Sequence, residues 1–396
     1  MVSTLPWQRL LRRDLLVLYL VIFLADVVVG YILPLFPLLA RDLGASLALI
    51  GVLAAFNGAT QVVVSVPIGM LSDRFGRKLL VTTGPLCFVA VALLLALGGT
   101  AWWFLLAQIM LGVGIVATFA MGAAMIGDHS APAERGLAMG MLTTSMGLGF
   151  AVGPLLGGLL AEAIGARGSL LFAAALALGC ALLAWGFLAD AASFRRSKPV
   201  NPLHNLRLLA ASRPLLLAAL AHLLLSPIFN GAVINFVPVK AGTLGFTAVA
   251  IGSLFTVRAL ASTVTRLPIG AISTPRRSYW LMLLALALGG GAMLLLASQS
   301  GYGIYMVALA VEGVSFGMFL TAGQAFVTHN ADAPMRGAAL GAYNMAGGVS
   351  AALSPIVLGL LAQAYGLDLA LFATSILVLT GAAVLAIAYR RTLATS

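Results

Sequence analysis

Residues 135–158 read RGLAMGMLTTSMGLGFAVGPLLGG, and residues 336–359 read RGAALGAYNMAGGVSAALSPIVLG. Overlaid, they pair Arg135-Gly136 with Arg336-Gly337, Gly140 with Gly341, Pro154 with Pro355 and Gly158 with Gly359, always 201 positions apart. Outward from this stretch the same offset carries Gly30 to Gly231, Pro37 to Pro238, Gly44 to Gly245 and Gly112 to Gly313. It also carries the triplet Pro67-Ile68-Gly69 to Pro268-Ile269-Gly270. With 44 glycines in the chain, isolated Gly matches arise by chance, but prolines and arginines in ungapped register do not. One structural unit is present twice.

Composition gives the solvent of that unit. Of the 396 residues 62% are hydrophobic and 8% charged, with a mean hydropathy of +1.09, whereas a soluble domain carries roughly 25% charged residues. Apolar runs of roughly 18–25 residues, the length that crosses a bilayer, begin near Leu15, Ala48, Leu79, Trp102, Gly136 and Gly168. They resume near Pro214, Ala248, Tyr279, Gly303, Gly337 and Leu369. In lipid only helices and closed barrels satisfy the backbone, and runs without polar alternation exclude barrel strands. The expected fold is an all-α integral membrane protein of twelve transmembrane helices. Residues 1–189 form one six-helix bundle and 214–396 its pseudo-symmetric copy. The polar interval 190–213 (DAASFRRSKPVNPLHNLRLLAASR) is a cytoplasmic linker with room for a short surface helix. Parallel repeats of this kind place a binding site between the bundles, near the membrane midplane.

The net charge of +11 follows the same topology. Seventeen of the 22 Lys and Arg fall in alternate loops and the two tails: Arg9, Arg12, Arg13, Arg74, Arg77, Lys78, Arg135, Arg195, Arg196, Lys198, Arg207, Arg213, Arg276, Arg277, Arg336, Arg390 and Arg391. Only Arg41, Arg167 and Lys240 fall in the opposite loops, and Arg258 and Arg266 lie within spans. An excess of Lys and Arg marks the cytoplasmic side, so both termini are expected there, in a cell (inner) membrane. The charge orients the chain and does not call for nucleic acid. Residues Met1–Asp14 lead into an apolar run without a small-residue cleavage site, which reads as a retained first span. Cys87 and Cys180 lie in different spans; no disulfide, metal site or cofactor is expected.

Three stretches carry the mechanism. Residues 69–78 read GMLSDRFGRK. Gly69 permits close helix contact, Gly76 a tight turn, and Asp73 suits the positive N-terminal end of a neighbouring helix. Arg74, Arg77 and Lys78 hold the cytoplasmic side, with Asp128 at the end of span 4 the expected partner of Arg77. In span 5, Gly140, Gly149, Gly153, Pro154, Gly157 and Gly158 leave one face open to a close neighbour, and Pro154 bends the helix by removing a backbone bond. In span 1, residues 30–37 read GYILPLFP.

These stretches resemble the major facilitator superfamily over essentially the whole chain. The first matches that family's loop 2–3 signature (G-x-L-a-D-r-x-G-r-k). The second is similar to the antiporter motif (G-x8-G-x3-G-P-x2-G-G) of its twelve-span drug:proton exporters, and the third to their proline-bearing first span. The resemblance implies a monomeric secondary transporter working by alternating access. Its loop 69–78 would latch the outward-facing state with Asp73 toward span 11, and spans 1, 4, 7 and 10 would line a central cavity. One position departs: where such exporters commonly carry an Arg in span 4, four residues before the Gly112–Gly114 pair, this chain has Gln108. The second copy of the loop keeps Gly270 but has Thr274 in the place of Asp73.

Ionisable groups inside a span cost about 2.5–3.5 kcal/mol each on insertion scales, so Asp26, Arg258 and Glu312 demand a reason. A carboxylate deprived of water holds its proton to higher pH and can exchange it once per cycle. Asp26, Glu312 or both are the expected proton carriers, with Arg258 pairing one of them; the plain alternative is a static buried ion pair. Arg266, near the cytoplasmic end, reads as structural, and His222 as a packing residue. Polar candidates for the cavity are Tyr31, Asn57, Gln61, Gln108, Asn230, Asn235, Gln324, Tyr343 and Asn344. The leading expectation is proton-coupled efflux of small, partly hydrophobic compounds. A proton symporter of a sugar or other metabolite, a lipid or glycolipid flippase, and a non-transporting receptor are the alternatives. No nucleophile–base set or phosphate loop suggests an enzyme.

Overall fold

The computed structural model describes residues 12–131, 134–190, 212–331 and 335–395, with side chains described as far as Arg390. Arg9, Arg195, Arg196, Lys198 and Arg207, the side chain of Arg391 and the expected surface helix of the linker lie outside the described residues. The described residues are helical apart from short connections. In chain order the helices are α1 (Arg13–Asp42), α2 (Leu47–Phe75), α3 (Arg77–Leu97), α4 (Ala101–His129), α5 and α6 (together Arg135–Phe187), and α7 (Arg213–Thr243). They continue as α8 (Ala248–Ile272), α9 (Pro275–Ser298), α10 (Tyr302–Asn330), α11 (Arg336–Tyr365) and α12 (Leu367–Thr395). Eleven continuous segments are long and apolar enough to cross a membrane. The 53-residue segment Arg135–Phe187 breaks at Gly165, whose φ of 78° no helix accommodates, so it supplies two spans and the total is twelve. Gly366, 201 positions on, turns the chain in the same way between α11 and α12 (φ 91°).

Two helices depart from regular geometry where they will line the site. Residues Val116–Ala120 of α4 and Pro227–Val233 of α7 widen into π-helical turns. Pro227 has no N–H to donate within α7, and such wide turns concentrate at functional positions.

The chain turns between α2 and α3 at Gly76, on the side that holds the N-terminal end of α1; this is called the basic side below. With lipid as solvent, apolar burial does not drive helices together, so small residues and close packing do. α1 crosses α5 where a Cβ on Gly153 would lie 2.7 Å from Tyr31 N, and α8 crosses α10 where one on Gly317 would lie 3.0 Å from the Ser262 carbonyl carbon. The offset of 201 governs these crossings. A Cβ on Gly112 (α4) would meet Asn57 O of α2 at 2.8 Å; on its counterpart Gly313 (α10) it would overlap the carbonyl of Arg258 in α8, the counterpart of Asn57.

The same rule closes the side opposite the basic one. Gly51 of α2 abuts Pro355 and Gly359 of α11, while Gly252 of α8 abuts Pro154 and Leu155 of α5. Gln363 Oε1 accepts from the N–H of Leu47 at the start of α2 (3.1 Å). Glu162, its counterpart, accepts from the N–H of Val249 at the start of α8 (2.8 Å). Both contacts join a helix of one half of the sequence to a helix of the other, and each satisfies an N–H that a helix start leaves free.

Candidate functional site

Between the halves lies a cavity of 1210 Å³, lined from α1, α2, α4, α5, α7, α8, α10 and α11. It is larger than the roughly 300–1,000 Å³ of a drug-sized pocket. Gly51, Gly252 and their partners seal it at one end. At the other it reaches Gly136, Gly140, Gly270, Thr328 and His329, at the basic ends of α5, α8 and α10. Leu267 at that mouth is 85% exposed. The cavity is therefore open on the basic side and shut on the other.

Asp26, Asn57, Gln61, Gln108, Asn230, Asn235, Arg258, Gln324 and Asn344 all line it. Gln61 donates to Asn57 Oδ1 one turn earlier (2.7 Å), and Asn235 to the Asn230 carbonyl (2.6 Å), which the wide turn of α7 leaves available. Tyr31 and Tyr343 do not line it. The Tyr31 hydroxyl points into the α1–α6 contact and donates to Ser169 O (2.8 Å), and the Tyr343 ring stacks on His222 with centroids 4.3 Å apart. His222 lines the cavity and donates from Nδ1 to the Tyr343 carbonyl (3.0 Å).

The three intramembrane charges separate into two settings. Arg258 and Glu312 form a two-point ion pair, Nε to Oε2 and Nη2 to Oε1, the latter 3.2 Å. Glu312 is 0% exposed and Arg258 2%. The rings of Phe229 and Phe316 flank the guanidinium at 4.1 and 4.8 Å. Repetition explains the frame but not the charges, since the counterparts of Arg258 and Glu312 in the first half are Asn57 and Leu111. Asp26 stands apart, with no hydrogen bond or ion pair among the described residues; the opposite charge that acts on it is Arg266. Arg266 itself lines the cavity, a position its closeness to the end of a span concealed.

The span 5 motif packs around these groups. A Cβ on Gly149 would lie 3.0 Å from Asp26 Cβ and one on Gly157 3.2 Å from the Tyr31 ring, while beside the motif one on Gly147 would lie 3.1 Å from Thr263 Cβ. Gly158 abuts Ala248, while Gly140 has open space toward the mouth. The motif thus seats α5 against α1 and α8 at once, and Pro154 lies within the closed end.

In the loop 69–78, Arg77 pairs with Asp128 at 2.8 Å, both largely buried. Asp73 at the end of α2 is half-buried, without a hydrogen bond or ion pair among the described residues. α2 meets α11 as far along as Val62, which a Cβ on Gly348 would touch at 3.0 Å. Nearer the basic side, Val63 and Met70 of α2 are 71% and 67% exposed. Arg74 lies over the Phe75 ring (5.1 Å) and Lys78 over that of Trp185 (5.5 Å). Gly69 has open space beside it.

One residue escaped the sequence reading. Asp190, assigned there to the start of the linker, accepts from the N–H groups of both Arg77 and Lys78 (2.8 Å each) and so caps α3. A Cβ on Gly76 would sit 3.0 Å from its carboxyl carbon. A single acid after an apolar run gives no sign of a partner 113 positions away. Lys240, read as a loop charge, is likewise buried. It pairs with Asp368 (2.6 Å) and donates to the carbonyls of Leu296 and Ala297 at the end of α9.

The comparisons agree with this architecture. "Inner membrane transport protein YajR" of Escherichia coli (strain K12) is 36% identical over 143 residues, covering 36% of this chain and 31% of that protein. "Multidrug resistance protein 1" of Bacillus subtilis (strain 168) is 35% identical over 164 residues, 41% of each chain. The "Quinolone resistance protein NorA" of Staphylococcus aureus is 27% identical over 152 residues, 38% of this chain and 39% of that one. The chain thus matches less than half the length of these relatives. Among solved structures, a bacterial homolog of the human lysosomal transporter Spinster, inward-facing and occupied, superposes with a TM-score of 0.78 at 16% identity over 98% of both chains. The nucleoside transporter NupG superposes with a TM-score of 0.80 at 15% identity, over 95% of this chain and 99% of that one. The Major Facilitator Superfamily profile matches residues 18–355 and 223–395. Twelve helices, a repeat that survives as paired contacts, and a cavity between the halves accord with that match, and the chain belongs to the Major Facilitator Superfamily of membrane transporters.

Proposed function

We propose that this transporter exports small, partly hydrophobic compounds from the cytoplasm in exchange for protons, across the inner membrane. The observation that carries the reading is a carboxylate, Asp26, unpaired among the described residues, at the wall of a large cavity open on the basic side. A lone carboxylate beside apolar walls is stable protonated and must be solvated or paired when ionised, so its protonation couples to which side the cavity faces. The resistance functions in the names of the two relatives from Bacillus subtilis and Staphylococcus aureus support efflux over import.

In this reading residues 1–189 and 214–396 rock as two bodies about the cavity. The α2–α11 and α5–α8 contacts hold the present state. When they part, the basic side closes, Asp73 reaches α11, and the loop 69–78 latches. Asp26 carries the proton. Glu312, sealed behind Arg258, serves as the fixed counter-charge that lets an arginine stand in the wall. The test is flux in proteoliposomes under an imposed pH gradient, with wild type, Asp26→Asn and Glu312→Gln compared over dyes, drugs and sugars. Substrate-driven proton movement that disappears in Asp26→Asn is expected. Undiminished proton-driven export in Asp26→Asn rejects the assignment, and proton-driven sugar uptake in wild type rejects export.

A further inference from the structure

We propose that Arg266 is the cavity's anion-recognition residue, and that the compounds carried are amphiphiles with one negative charge, such as aryl carboxylates or sulfonates. This deepens, and rests on, the reading of the cavity as the substrate site. Two guanidinium groups line that cavity. Arg258 is already neutralised, because Glu312 takes its Nε and Nη2 and two phenylalanine rings cover its faces. Arg266, two turns nearer the mouth, makes a single long hydrogen bond among the described residues, from Nη1 to the Thr143 carbonyl at 3.4 Å. Its Nε is buried without an acceptor. A guanidinium offers five N–H donors in a planar fork that fits a carboxylate or sulfonate at two points, and most of that fork is unspent here.

The remaining charges point the same way. Asp26 acts on Arg266 through space, but the two form no ion pair among the described residues. α5 lies against both, Gly149 beside Asp26 and the Thr143 carbonyl on Arg266. Of the two histidines at the cavity, His222 is held by the Tyr343 carbonyl and His329 stands at the mouth. 

Phe119, Phe150, Met139 and Met146 supply apolar surface for the rest of an amphiphile, and methionine adapts to varied shapes. One free guanidinium accommodates one negative charge, and Asp26, when ionised, repels a second. A cationic compound at the same place would face the guanidinium with only Asp26 in its favour.

The test is equilibrium binding to the purified full-length chain in detergent, with three fluorescence or displacement probes. These are 8-anilino-1-naphthalenesulfonate, its uncharged relative N-phenyl-1-naphthylamine, and the tetraphenylphosphonium cation. The sulfonate should bind most tightly. Arg266→Gln should weaken it by roughly tenfold or more, the worth of a charge-assisted hydrogen bond, and leave the uncharged probe unchanged. Arg266→Lys should recover part of the loss, and Asp26→Asn should tighten the sulfonate only where Arg266 is intact. Equal loss of both naphthyl probes in Arg266→Gln, or no loss of either, overturns the proposal. So does a wild-type ranking with the cation or the uncharged probe first, a comparison that stands even if Arg266→Gln does not fold. No gradient or turnover enters this measurement, so its failure is separate from a failure of proton-driven export.

Discussion

Adding one methyl group at each of two symmetric glycines should turn the transporter over. In Gly51→Ala the new Cβ would overlap the Pro355 carbonyl, with the carbonyl carbon at 3.0 Å and Gly359 Cα at 3.1 Å. In Gly252→Ala it would overlap the Pro154 carbonyl, with the carbonyl carbon at 2.9 Å and Leu155 Cα at 3.1 Å. Every atom in the way is backbone or is tied to it, so no side chain can swing aside. Carbon atoms rest at about 3.5–4.0 Å, so each helix pair must separate by about 1 Å. Overpacking of this kind costs about 1–3 kcal/mol per site. The two sites share no partner, so the costs add to about 2–6 kcal/mol. In the proposed cycle these contacts exist only while this side is shut, so the whole cost falls on the present state. At 1.4 kcal/mol per factor of ten, the ratio of the two states should shift by roughly 30-fold to 10⁴-fold.

Labelling reads this shift directly. With Cys87→Ser and Cys180→Ala removing the native thiols, Leu33→Cys places a reporter on the cavity wall of α1. A membrane-impermeant maleimide applied to the side opposite the basic one should react at least about 30 times faster in the double alanine variant than in its glycine parent, following the lower bound of that shift. The reaction from the basic side should slow. An unchanged rate from both sides, in protein with an undisturbed unfolding profile, would refute the reasoning that these glycines form the gate.

Three further outcomes are expected. Glu312→Gln strands a buried guanidinium between Phe229 and Phe316 and should cost about 3–5 kcal/mol in detergent unfolding, more than the paired change Arg258→Met with Glu312→Leu; equal losses would contradict a mutually dependent pair. Asp190→Ala removes the acceptor for two N–H groups and should cost about 1–2 kcal/mol, read as faster amide exchange at Arg77 and Lys78; unaltered exchange would mean the cap contributes nothing. Tyr31→Phe removes the hydroxyl bond to Ser169 and should cost about 1 kcal/mol of stability with flux unchanged; a changed substrate range would put Tyr31 back in the cavity.

Hydropathy, charge asymmetry and the 201-residue repeat made the architecture legible without coordinates, because in a bilayer a spanning segment must satisfy its own backbone and is long, apolar and helical as a result. The loop 69–78 and the span 5 glycines were legible for a related reason. Tight turns and close helix approach admit few residue types, so they leave fixed letters at fixed spacing. The polar list was only partly readable: Asn57, Gln61 and Asn235 reach the cavity while Tyr31 and Tyr343 turn away from it. A helix with a polar residue does not disclose which neighbour that residue faces. Rotation about each helix axis is set by packing against other helices, and so tertiary structure alone decided that Arg258 meets Glu312, that Asp26 stands unpaired among the described residues, that Arg266 enters the wall, and that Asp190 closes onto α3.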